Sequence, residues 1–233
     1  MITLALAITF EKEHLLLRGM LTASALAIAL IFVPFASIVT YPCNLFVTLV
    51  HESSHALAAL ATGGSVESIT VSPDTNGLTL TRGGSRLITL CAGYTGATLF
   101  GAVILVLLRM ERIRTAAAFG TLFLFTTVLR FGANVLTYAT GVVAAAVFLF
   151  FFAYSRRRFV YYGMSFLAVQ CMLNAFYDLR TLIVVSASQA RTISDASLLS
   201  RETFGVIPPL GWAIGLSAVS LLITYTLLRR LIR

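Results

Sequence analysis

Leu49-Val50-His51-Glu52-Ser53-Ser54-His55-Ala56-Leu57 sets two imidazoles four residues apart, with a carboxylate next to the first. On an α-helix residues at that spacing share a face, about 6 Å apart along the axis, so both rings can reach one ion. Glu52, one position along, flanks the same face. Two neutral imidazoles and an adjacent carboxylate are the equipment of a zinc hydrolase. The rings hold the ion, and the carboxylate takes a proton from a water on it. The chain has only three histidines and spends two of them here. The plainer alternative is a pair of core histidines and a glutamate satisfied by neighbouring helices. However, the motif sits in an apolar run from about Leu45 to Ala61 that reads as a membrane helix, where ionisable groups are expensive. A metal ion gives three of them a reason to be there.

The rest of the chain must position that helix. Of its 233 residues 58% are hydrophobic and 11% charged, with a mean hydropathy of +0.93, which is the composition of an integral membrane protein. The length suits one bundle over residues 1–233 rather than several domains. The net charge of +8 reflects arginine clusters at helix ends. These read as topology signals and headgroup contacts in a lipid bilayer, with no nucleic-acid partner implied. Cys43, Cys91 and Cys171 show no paired spacing and read as small packing residues. Met1 to Leu17, interrupted by Glu11-Lys12-Glu13-His14, reads as a short interfacial segment rather than a signal peptide, with His14 at headgroup level.

The expected architecture is an all-α polytopic membrane protein of about six to seven transmembrane helices. Apolar runs fall at Met20–Thr40, Asn44–Ala61, Leu87–Leu108, Thr115–Leu129, Val135–Tyr154, Phe159–Tyr177 and Val206–Leu228. Pro42 is expected to open the second helix, where its missing N–H costs nothing. After that helix, two β-prone runs at Val66–Ser72 and Leu78–Thr81 flank Asn76-Gly77 and read as a small inserted β-hairpin, with Gly63-Gly64 and Gly83-Gly84 as flexible joints. An ordinary loop is the competing reading. Arginines at 109, 112 and 114, at 156–158 and at 229, 230 and 233 fall on one side of a seven-span arrangement, expected to be cytoplasmic. The hairpin and the Ser186–Phe204 loop then lie on the other. Gly93, Ala97 and Gly101, with Gly96 beside them, form a small-residue stripe able to press against the His51 helix.

A catalytic zinc site usually has three protein ligands, and no third histidine has the right setting. Among nine carboxylates, Asp178 is the first choice, because it ends a long apolar helix on the same side as His51 and His55. Asn174, one turn earlier, could orient a ligand or hydrogen-bond a substrate backbone. Asp178 could instead pair locally with Arg180 or Tyr177. Asp195 is the second choice, since Thr192-Ile193-Ser194-Asp195-Ala196 reads more simply as the N-cap of a short helix.

Taken together, the His51–Ala58 motif, Gly63-Gly64, the hairpin, Ala92-Gly93-Tyr94-Thr95-Gly96 and the Asn174–Asp178 segment resemble the site-2 protease family of intramembrane zinc metallopeptidases. The likeness is to small bacterial, M50B-like members without a PDZ domain. It covers roughly Asn44 to Ala196. In place of the family's usual Asn-Pro-Asp-Gly this chain has Tyr177-Asp178-Leu179-Arg180. The resemblance implies Zn2+ held by His51, His55 and Asp178, and Glu52 as general base. It also implies a membrane protein or peptide as substrate and a place in the bacterial inner membrane. Two other classes remain open: a non-catalytic metal-binding membrane scaffold, and a metal-ion carrier.

Overall fold

A computed structural model describes residues 17–27, 29, 36–154, 157–187 and 194–232. They form α1 (residues 17–27), α2 (Ala36–Ala61), β1 (Ser65–Val71), β2 (Gly77–Arg82), α3 (Arg86–Arg109), α4 (Ile113–Phe131), α5 (Val135–Ala153), α6 (Arg157–Ala187), α7 (Asp195–Glu202) and α8 (Pro209–Ile232). Apart from Leu17, the Met1–Leu17 segment lies outside the described residues, as does part of the Met20–Thr40 run.

Four helices, α3, α4, α5 and α8, are long and apolar enough to cross a membrane among the described residues, fewer than the six or seven expected. The run at Asn44–Ala61 does form a helix. Its cluster of polar residues from His51 to His55 interrupts the apolar run, and it is not among those four. That helix begins at Ala36, so Pro42 lies inside it rather than opening it. The helix continues past this proline, which deprives the Ile38 carbonyl of its partner, and Ile38 is exposed.

The helix that carries His51 and His55, α2, is the hub of the molecule. It packs against α3, α4, α5, α6 and both strands. An aromatic cluster of Phe46, Phe100, Phe119, Phe123 and Phe148 fills the core behind it, joining α2 to α3, α4 and α5. The small-residue stripe of α3 serves two neighbours. Gly93 and Gly96 face α2, whereas Gly101 faces α6, where a Cβ would strike the Ala168 carbonyl oxygen and lie 2.8 Å from Met172 Cγ. Backbone cannot give way as a side-chain tip can. Gly101→Ala is therefore expected to destabilise the fold by about 1–3 kcal/mol, read as a lowered thermal midpoint of the purified protein in detergent.

β1 and β2 pair antiparallel, with Ile69 opposite Thr79 and Val71 opposite Gly77. Ile69 and Val71 are fully buried against the helices, while Leu78 and Leu80 are exposed on the outer face. The chain reverses earlier than Asn76-Gly77. Thr75 takes the left-handed conformation (φ 66°), its N–H donates to the Ser72 carbonyl, and the Ser72 N–H donates to the Asn76 carbonyl. Gly77 is a strand residue whose smallness answers a different need, described below. The glycine pairs are fixed rather than loose joints. Gly64 lies against the Gly83 carbonyl, where a Cβ would come within 2.8 Å, so the two ends of the hairpin close on each other.

Candidate metal centre

His51, Glu52 and His55 are all buried on the face of α2 turned toward α3 and the hairpin, and their ligand-type atoms lie within 4.8 Å of one another. The two imidazoles point inward together, with His51 Nε2 and His55 Nε2 3.0 Å apart. Asp195 Oδ2 completes a triangle, 2.9 Å from the first and 3.2 Å from the second. A tetrahedral zinc ion with bonds of about 2.0–2.1 Å spaces its ligand atoms roughly 3.3 Å apart. The three atoms stand within a few tenths of an ångström of that separation.

α3 supplies the orientation of one ring and the space in front of both. His55 Nδ1 lies 2.6 Å from the Thr89 carbonyl oxygen. A carbonyl can only accept, so Nδ1 carries the proton, and in the neutral form of the ring Nε2 would turn its lone pair to the triangle. This is the outer hydrogen bond that metal-binding histidines ordinarily make. One turn further along α3, Gly93 has no Cβ. If it had one, that atom would fall against His51 Nε2 and 2.6 Å from His55 Nε2. The cradle is walled by the two Nε2 atoms, with the Asp195 carboxylate against both. The Tyr94 ring closes its side, edge-on to His51 at 4.7 Å between centroids.

Asp195 reaches the triangle from the other end of the sequence. It is the first residue of α7 rather than the cap expected from the sequence. Ser194 is the N-cap, its hydroxyl accepting from the Ser197 N–H while the Ser197 hydroxyl accepts from the Ser194 N–H. With capping done by two serines, the aspartate is released to point at α2. α7 is seated by Leu199 against Leu90, Tyr94 and Leu216, and by Ala196 against Ala213 and Trp212. Burial alone would raise the Asp195 carboxyl, but the facing imidazoles, His55 first, outweigh it and hold the group well below the ordinary carboxylate range. It is a carboxylate, the form in which it can serve as a ligand.

Glu52 turns from the triangle toward β2. Thr79 Oγ1 lies 2.6 Å from Glu52 Oε2, and a Cβ on Gly77 would collide with Oε1 and sit 2.7 Å from Cδ. One turn before Glu52, Thr48 donates its hydroxyl to the Thr75 carbonyl at 2.7 Å and pins the hairpin tip to the same face of α2. The two residues inside the motif are structural. Ser53 donates to Thr127 Oγ1 of α4 at 3.0 Å, and Ser54 donates to the Val50 carbonyl at 2.7 Å.

Of the residues expected from the sequence, the structure brings together His51, His55, Glu52 and Asp195. Asp178 and Asn174 lie within α6, whose last residue is Ala187, so Asp178 does not end that helix. The side chains of both lie outside the described residues. The sequence reading passed over Thr79, Gly77 and the Thr89 carbonyl. Threonine is common in this region and nothing distinguishes Thr79 from Thr70 or Thr81 until the strand register is known. Gly93 was visible as part of a packing stripe, but not as the wall of a cradle.

No curated protein and no solved structure matches the chain. A family model described as Peptidase M50B-like matches residues 21–227, nearly the whole length, and spans every residue of the cluster just described. With four helices among the described residues long and apolar enough to cross a membrane, and a His-Glu-x-x-His cluster inside that match, the chain is an integral membrane protein of the M50B-like branch of the site-2 protease family.

Proposed function

We propose that the protein is an intramembrane zinc metalloprotease that hydrolyses peptide bonds of membrane-spanning or membrane-associated substrates. The observation that carries this reading is the convergence of His51, His55 and Asp195 on one point, with Glu52 alongside. In it the two imidazoles and the Asp195 carboxylate hold the ion, and Glu52 is the general base. A bound Zn2+ would contribute a Lewis acid that acidifies water and polarises a carbonyl. Glu52 accepts the proton from the attacking water as the new C–O bond forms. It then delivers that proton to the amide nitrogen as the C–N bond breaks, so no further acid is needed.

A helical substrate hides its carbonyls in its own hydrogen bonds, and must be drawn out straight before attack. The hairpin supplies one edge for that. Ile69 and Val71 turn their backbone groups away from β2, toward the α4–α5 connection. Ala133 N–H donates to the Ile69 carbonyl, Asn134 Nδ2 donates to the Val71 carbonyl and the Val71 N–H donates to Thr137 Oγ1. The β1 edge is therefore taken. In an antiparallel ladder the residues opposite, Thr79 and Gly77, must point their backbone groups the other way. Those groups have no backbone partner among the described residues. A substrate segment adding to β2 as a further strand lies beside Glu52.

The reading is tested with purified protein and a transmembrane peptide carrying helix-breaking residues. Glu52→Gln keeps the shape and removes the base, and is expected to slow cleavage by about 10²–10⁴-fold while metal content stays at the wild-type level. A variant that cuts as fast as the wild type sinks the reading.

A further inference from the structure

We infer that β2 belongs to the catalytic apparatus as well as to substrate docking, with Thr79 as the positioning residue for Glu52. The inference rests on the proposed role of Glu52 as general base. Thr79 Oγ1 is 2.6 Å from Glu52 Oε2 and 3.1 Å from the Glu52 backbone oxygen. A hydroxyl has one proton to give, and the short contact to a carboxylate is the stronger bond, so Oε2 receives it. The other oxygen, Oε1, occupies the space that a Cβ on Gly77 would fill. One strand thus ties down one oxygen and makes room for the other. A glutamate on a helix face has three torsions to distribute its carboxylate over, and holding one oxygen selects a single arrangement in advance of the reaction. Oε1 is left as the oxygen that handles the proton.

The same residue links the base to the substrate. Side chains stand perpendicular to a sheet while backbone groups lie in its plane. Thr79 therefore gives its hydroxyl to Glu52 and its outward backbone groups to whatever pairs along β2. The offset between a bound strand and the base is set through one residue. A substrate strand that pairs one position out of register brings the wrong carbonyl to Glu52.

The experiment uses the zinc-loaded protein and the same transmembrane peptide, comparing wild type, Thr79→Val, Thr79→Ser and Glu52→Gln. Valine matches threonine in shape without the hydroxyl. Thr79→Val is expected to lower kcat roughly 10–100-fold, with KM and zinc content unchanged, and Thr79→Ser to recover most of it. The carboxylate stretch that disappears in Glu52→Gln, read by infrared difference spectroscopy, is expected to shift in Thr79→Val and to return in Thr79→Ser. If the valine variant does not fold, Thr79→Ala takes its place against the same serine. Wild-type kcat without the hydroxyl, or serine and valine falling alike, overturns the inference and leaves the protease reading standing. A wild type no faster than Glu52→Gln removes that reading and the inference with it.

Discussion

Asp195→Ala is expected to cost the protein its metal, while Asp178→Ala keeps it. Three atoms define the cradle, and the Asp195 carboxylate is the only anionic one. Without it the ion is left with two neutral nitrogens in a buried pocket, and its charge is no longer offset. Losing even an outer hydrogen-bond partner costs metal sites about 10–100-fold in affinity, so loss of a direct ligand is expected to exceed roughly 100-fold. Elemental analysis of detergent-purified protein, stripped and reloaded with zinc, reads this directly, and turnover should fall in parallel. The fold itself should survive, because α7 is held by Leu199 and Ala196 rather than by the carboxylate. Stoichiometric zinc in Asp195→Ala together with loss in Asp178→Ala would return the ligand to α6.

Gly93→Ala is expected to remove metal without touching any residue of the motif. The added methyl falls where an ion between the two Nε2 atoms must sit. To admit it, either the rings swing aside and break the bond from His55 to the Thr89 carbonyl, or α3 backs away from α2. Either movement opens the triangle. Zinc binding and cleavage should both drop by more than about tenfold, since an ångström of misplacement near the chemistry can cost about 10²-fold. Gly215→Ala on α8 is the matched control, because no atom lies within 4 Å of the Cβ it would gain. A Gly93→Ala protein with full zinc and full activity would mean that the ion, if present, sits elsewhere.

The helices flanking the hairpin, the hairpin itself and the candidate metal-binding motif were legible because each is a local pattern. Apolar runs set α3, α4, α5 and α8, and β-branched alternation set β1 and β2. The proposed third ligand, Asp195, was harder for a physical reason. His51 and His55 announce each other through helical spacing, but nothing within twenty residues of Asp195 points to them. What could have been read is the pair of serines around it. Ser194 and Ser197 satisfy the helix start between themselves, which removes the usual task of an aspartate at that position. Gly77 misled in the opposite direction. Next to Asn76 it looked like a turn residue, yet its need for smallness comes from Glu52, a residue 25 positions earlier that no local pattern connects to it. Thr75 carries the reversal instead, and a threonine in the left-handed region is not something composition forecasts.

The three facing atoms also have a mechanical side. His51 and Asp195 are separated by 144 residues of chain, most of the protein's length. An ion gripped by both would act as a clasp across that whole contour, fastening an eight-residue helix that otherwise rests on a few apolar contacts and the Arg86–Glu202 ion pair. Closing so large a loop by ligation restricts the unfolded chain as a crosslink would. Metal binding would then reinforce the seating of the late part of the chain against the early part that the apolar contacts of α7 already provide.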